Sequence, residues 1–81
     1  MRVSVLFHSY FKDLAGCAET GETLADGATV ADLLGRLAER FPKLAAMQAS
    51  TLVAVGVEYE GRNRVLKDGD EVSLFPPVQG G

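Results

Sequence analysis

Enzymatic chemistry needs a nucleophile, a base and charge-stabilising groups that converge, or a metal held by several ligands, and this chain of 81 residues offers few such side chains. Cys17 is its one cysteine and His8 its one histidine. A single thiol supports no disulfide framework, no thiolate zinc set and no iron–sulfur cage. A lone thiol beside Gly16 can be redox-active or nucleophilic, but Cys17 reads as a structural loop residue. Nothing near His8 in sequence completes a Cys/His or Ser/His/Asp arrangement. The carboxylates Asp68, Asp70 and Glu71 lie close together in a turn sequence and read as solvated hairpin charges, since a calcium loop needs more oxygen ligands at regular spacing. No metal site and no glycine-rich phosphate motif is expected.

What remains is the terminal stretch Phe75-Pro76-Pro77-Val78-Gln79-Gly80-Gly81. The α-carboxylate of Gly81 is ionised at neutral pH and is a poor electrophile as it stands. Once another protein activates it, for instance by ATP-dependent adenylation, a sulfur or amine nucleophile can attack the acyl carbon. Gly80 and Gly81 lack Cβ atoms and can thread a narrow tunnel. Pro76 and Pro77 hold the base of the tail extended and lower the entropy lost on insertion. Residues 76–81 reach at most about 20 Å when extended, deep enough for a partner's buried active site.

Composition sets the frame for that tail. Hydrophobic residues at 47% and charged residues at 23% describe one ordinary globular domain. The net charge of -3 argues against nucleic acid, which requires a basic stripe. Arg62, Arg64 and Lys67 are the nearest thing to a basic cluster and read as hairpin solubilisers. No apolar run approaches the roughly 20 residues of a membrane span, and the start is strand-like instead of a signal peptide. A cytoplasmic protein is expected.

The elements that must carry the tail are legible from periodicity. Val3 to Tyr10 alternates, with Val3, Val5 and Phe7 on one face and Arg2, Ser4, Leu6 and His8 on the other, as a half-buried strand does. Phe11 to Ala15 fits one short turn of helix closed by Gly16. A weaker strand fits Ala18 to Leu24, before the Asp26-Gly27 turn. Val30, Leu33, Leu34, Leu37, Ala38 and Phe41 form one apolar helical stripe, opened by a capping box of Thr29 and Asp32 and ended by Pro42. Leu44 to Ala49 suggests another helical turn. Leu52 to Val57 reads as a continuous buried strand, Gly61 as a turn, and Val65-Leu66 as a short strand. Lys67-Asp68-Gly69-Asp70 is a tight turn leading to a last strand, Glu71 to Phe75. There Val72 and Leu74 share one face while Phe75 points away from it, as cover for a loop or as a partner-binding anchor. This order predicts an α+β domain with a mixed sheet of about four or five strands packed on one long helix.

The chain resembles the small subunit of molybdopterin synthase, the MoaD family. The likeness runs through the opening Val-Leu-Phe strand, Lys12-Asp13-Leu14-Ala15-Gly16, Thr29-Val30, Leu66-Lys67-Asp68-Gly69-Asp70-Glu71-Val72 and the terminal Phe75 to Gly81. The family pattern departs at Gly56-Val57-Glu58-Tyr59, where many members have Asn after the Val-Ala-Val run. The resemblance implies a ubiquitin-like β-grasp domain, residues 1–75, with an extended Gly-Gly tail, residues 76–81. It implies a sulfur carrier whose Gly81 is adenylated by a ubiquitin-activating-type enzyme and converted to a thiocarboxylate by a sulfur donor, such as a cysteine desulfurase or a rhodanese-like protein. The thiocarboxylate then delivers sulfur to cyclic pyranopterin monophosphate, forming molybdopterin for the molybdenum cofactor.

In that scheme the carrier binds no cofactor of its own. The adenylating enzyme uses the ATP, and the large synthase subunit supplies the catalytic groups within a heterotetramer. Gly81 is then the reactive site and Pro76, Pro77, Val78, Gln79 and Gly80 are the inserted tail. Phe75, Tyr59 and His8 fall where the family has an apolar partner-binding surface. The alternatives are a sulfur carrier for thiamine thiazole formation, a ubiquitin-like modifier joined through Gly81 to target lysines, and a non-covalent binding module with an incidental tail.

Overall fold

A computed structural model describes residues 1–77 of the chain. The expected tail residues Val78, Gln79, Gly80 and Gly81 lie outside the described residues. In chain order the elements are β1 (Arg2–Phe7), α1 (Phe11–Ala15), β2 (Glu19–Thr23), α2 (Val30–Arg40), α3 (Pro42–Ala45), a single 3₁₀ turn (Gln48–Ser50), β3 (Leu52–Val55), β4 (Glu58–Tyr59) and β5 (Glu71–Phe75). The five strands form one mixed sheet in the order β2-β1-β5-β3-β4, in which only β1 and β5 run parallel.

Alternation in β1 turns Val3, Val5 and Phe7 inward, and alternation in β5 adds Val72 and Leu74 to the same face. Helix α2 lays Val30, Leu33, Leu34 and Leu37 on that face. Phe11, Leu44 and Leu66 close the core at its ends. The helix starts where expected: Thr29 Oγ1 accepts from the Asp32 backbone N–H, and Asp32 Oδ2 accepts from the Thr29 backbone N–H, a reciprocal cap that satisfies two otherwise orphaned donors. The edge strand β2 is tied to α2 through Glu22, whose side chain is 5% exposed and is paired with both Arg36 and Arg40.

Several segments differ from the sequence reading. The first strand ends at Phe7, because Ser9 takes a left-handed φ of 56° and breaks the extension before Tyr10. The second strand is trimmed to Glu19–Thr23. The helical turn after Phe41 begins at Pro42, which the first turn of a helix accepts, and the rest of the expected turn is the 3₁₀ segment. The strand expected over Leu52 to Val57 stops at Val55, where Gly56 turns the chain at φ 63° and leaves Val57 98% exposed. Val65-Leu66 makes only an isolated bridge from Val65 to Thr29, and the fourth strand is Glu58–Tyr59, which the Gly56 hairpin folds back on β3.

Four charged residues also differ from that reading. Arg62 donates to the carbonyls of Gln48 and Thr51, while Arg64 pairs with Glu60, so both arginines are internal ties and not hairpin solubilisers. Asp68 and Asp70 accept from the backbone N–H groups of Arg2 and Lys67. Asp70 thus caps the turn, and Asp68 ties it to the start of β1.

Candidate functional site: the tail root and the open sheet face

The helices cover one face of the sheet. On the other face, strand alternation places Leu6, Leu52, Ala54, Tyr59, Ser73 and Phe75, since Phe75 pairs with Leu52, Ser73 with Ala54, and Ala54 with Tyr59. Leu52 and Tyr59 are exposed, at 36% and 69%, while Ala54 and Ser73, small residues ringed by larger ones, are buried. The continuous apolar run in β3 concealed this. Leu52 and Ala54 belong to the outer face and Val53 and Val55 to the core, so the run is an alternating strand whose two faces are both apolar. Leu52 was the residue missed, and its period-two relation to Ala54 was the available signal.

Phe75 sits where this face meets the tail. It is half-buried, and its ring stacks on the His8 imidazole with centroids 4.3 Å apart and planes 12° from parallel. Tyr59 approaches the same ring at 6.0 Å with a tilt of 58°. The three aromatic residues singled out in the sequence thus form one cluster, although they come from three separate segments. The parallel pairing of β1 with β5 brings the ends of both strands to the same edge, and the His8 backbone N–H donates to Leu74 O at 3.1 Å. Pro76 and Pro77 leave the sheet from this cluster, both half-buried and outside any strand.

The His8 Nε2 atom is enclosed and has no hydrogen-bond partner among the described residues. Cys17 is half-buried and packs against the core. Among the described residues no group of three or more His, Cys, Asp or Glu side chains could hold a metal ion, and no helix is long and apolar enough to cross a membrane. The described residues of the open face are mostly apolar or small. The geometry of this face suits the docking of a complementary apolar surface, with a chain segment led away from one corner.

A mixed sheet with parallel first and last strands, wrapped on one face around a single long helix, defines a ubiquitin-like β-grasp protein. The sequence pattern of the ThiS family matches residues 5–81, and the chain belongs to that family. It is 35% identical to a molybdopterin synthase sulfur carrier subunit of Chlamydomonas reinhardtii, a match covering 100% of each chain. It is also 33% identical to small archaeal modifier protein 3 of Haloferax volcanii, again over 100% of each chain. Among solved structures, a chain of the protein–protein complex of subunits 1 and 2 of molybdopterin-converting factor from Helicobacter pylori superposes with a TM-score of 0.73 at 28% identity, covering 100% of each chain.

Proposed function

We propose that this chain is the sulfur carrier subunit of a molybdopterin synthase and acts in the cytoplasm in molybdenum cofactor biosynthesis. Residues 1–75 are the handle and residues 76–81 the working tail. A ubiquitin-activating-type enzyme joins the Gly81 carboxylate to AMP from ATP, releasing pyrophosphate. The persulfide of a donor protein then displaces AMP to give an acyl disulfide, and a thiol that attacks the donor-side sulfur forms a disulfide with the donor and releases the thiocarboxylate. The large synthase subunit receives the tail, and the thiocarboxylate passes its sulfur to cyclic pyranopterin monophosphate. Two such deliveries build the dithiolene. The carrier binds no cofactor in this cycle and behaves as a tethered co-substrate.

The observation that carries this reading is the full-length likeness to a sulfur carrier subunit. It is supported by the open apolar face around Phe75, which suits a large-subunit partner like that in the two-subunit Helicobacter pylori complex. The test is intact-mass measurement after incubation with ATP, an adenylating enzyme and a sulfur donor. One terminal oxygen should be replaced by sulfur, and deletion of Gly81 should abolish the change. An unchanged mass under conditions that modify a known carrier would sink the reading.

The likeness to a small archaeal modifier favours a second reading, in which the activated Gly81 is joined to lysines of other proteins. It predicts covalent adducts in a cell lysate that vanish when Gly81 is removed. A lysate free of such adducts, with the thiocarboxylate formed, leaves the carrier role alone.

A further inference from the structure

The charges of the open face have a definite place on it. Leu6 stands opposite Glu19 on one side and Ser73 on the other, so one row across the sheet runs Glu19, Leu6, Ser73, Ala54, Tyr59. The next row, away from the tail, holds Gly21, Ser4 and Glu71. Cross-strand partners share a face, so two carboxylates border the apolar patch around Phe75. Glu19 closes it at the β2 edge, and Glu71 closes it at the end opposite the tail root. Both are exposed, and neither forms an ion pair among the described residues.

No cation of the sheet offsets them. Arg2 is the one lysine or arginine on the five strands. Its Nη1 donates to Thr23 Oγ1 at 3.1 Å, and its guanidinium lies over Gly21, where an added Cβ would collide with it. It forms no ion pair with either carboxylate. Glu22 and Glu60, by contrast, are matched by Arg36, Arg40 and Arg64.

Resting on the sulfur-carrier reading, we propose that Glu19 and Glu71 are an acidic rim of the docking face, and that the large synthase subunit meets them with lysine or arginine side chains. The apolar centre supplies contact area but says little about rotation around the axis of approach. Two carboxylates on adjacent sides of that centre mark a direction, and complementary charges fix register in this way. Register matters here because the tail leaves from the Phe75 corner and has to meet one opening in the partner. The net charge of -3 gives the long-range field the same sign as the rim. A partner with carboxylates at these two places is repelled, so the same residues select against wrong partners. Exposed rim charges act chiefly on the rate of encounter and its salt dependence, and little on the docked affinity.

The test is the rate of association of the full chain with a purified molybdopterin synthase large subunit, followed by stopped flow from about 20 mM to about 500 mM sodium chloride, a span over which screening becomes strong. At low salt Glu19→Lys and Glu71→Lys should each associate roughly fivefold more slowly than the unsubstituted chain, and Glu19→Gln and Glu71→Gln roughly twofold. These gaps should close as salt screens the field. Glu39→Lys makes the same change of charge at an exposed position of α2, which covers the opposite face, and should slow association by less than about twofold. Equal slowing by Glu39→Lys would reduce the effect to net charge and overturn the rim. A Glu19→Lys or Glu71→Lys variant that associates at the original rate, or whose deficit survives high salt, overturns it as well. Absence of binding by the unsubstituted chain at every salt concentration instead overturns the sulfur-carrier reading.

Discussion

The His8 ring lies face to face with the Phe75 ring at 4.3 Å, joining the end of β1 to the last residue of β5. Such a pair contributes about 0.5–1.5 kcal/mol beyond the area it buries. Its position matters more than its magnitude, because the tail begins at the next residue. Whatever orients Phe75 also orients Pro76.

Phe75→Ala should separate docking from folding. Phe75 lies on the outer face and is only half-buried, so truncation leaves the helix-covered core filled. We expect docking to the large subunit to weaken by about 2 kcal/mol, roughly thirtyfold in Kd, as loss of a central aromatic anchor does. Thermal melting of the free variant should stay cooperative. Unchanged affinity by calorimetry would remove Phe75 from the interface.

The double variant Pro76→Gly, Pro77→Gly should dock more weakly while the packing of the folded domain stays intact. Each proline narrows the ensemble of the free tail, and each replacement costs about 0.4–1 kcal/mol through that ensemble. Affinity for the large subunit should therefore fall while the urea midpoint of the free chain holds. Equal affinities for both forms would show that spacer stiffness has no part in docking.

Glu22→Gln should destabilise the fold without touching the tail. The Glu22 carboxylate is almost fully enclosed, while Arg36 and Arg40 remain 55% and 42% exposed. That exposure screens both pairs, so we expect a loss of about 1–2 kcal/mol. The check is the urea unfolding midpoint, which should fall with no change in slope. A midpoint within error of the original would mean that the pairs contribute nothing net.

Arg62→Met should loosen the segment before β3. The Arg62 guanidinium donates to Gln48 O at 2.9 Å and Thr51 O at 2.8 Å, holding the 3₁₀ turn against the start of the strand. Losing two charge-assisted bonds should cost about 1–3 kcal/mol. Amide hydrogen exchange should accelerate over Gln48 to Thr51 before it does in the core strands, and uniform acceleration would contradict a local tie.

Two apolar residues of similar hydropathy should respond oppositely to truncation. Leu37 is 1% exposed within the core, and Leu37→Ala should cost about 2–5 kcal/mol by leaving a cavity. Val57 projects from the Gly56 turn, and Val57→Ser should shift stability by no more than about 0.5 kcal/mol. Denaturant titration of both variants checks the pair.

The legible parts of the chain were those governed by local rules. The Thr29–Asp32 cap, the stripe from Val30 to Leu37, the Gly16 terminus and the turn before Glu71 all appear where their spacing puts them. The errors cluster where a local pattern has two solutions. An apolar run such as Leu52 to Val57 fits a strand buried on both faces or a strand whose outer face is a docking surface, and periodicity cannot separate the two. Val65-Leu66 has strand propensity but gains only one bridge, because β4 already occupies the open edge of β3. Among the candidate site residues, Phe75 was legible as outward by period two, while its packing against His8 was not.

By itself the sequence determined the set of elements, the one-sided core and the composition of the tail, since each follows from residues only a few positions apart. The tertiary structure decided what those elements mean together. Parallel pairing of β1 with β5 places His8 beside Phe75, and the Gly56 hairpin brings Tyr59 to the same cluster. Those contacts join residues far apart along the chain. Which distant strands pair, and in which register, is settled by the packing of the whole core on α2 and by no local signal in the strands themselves.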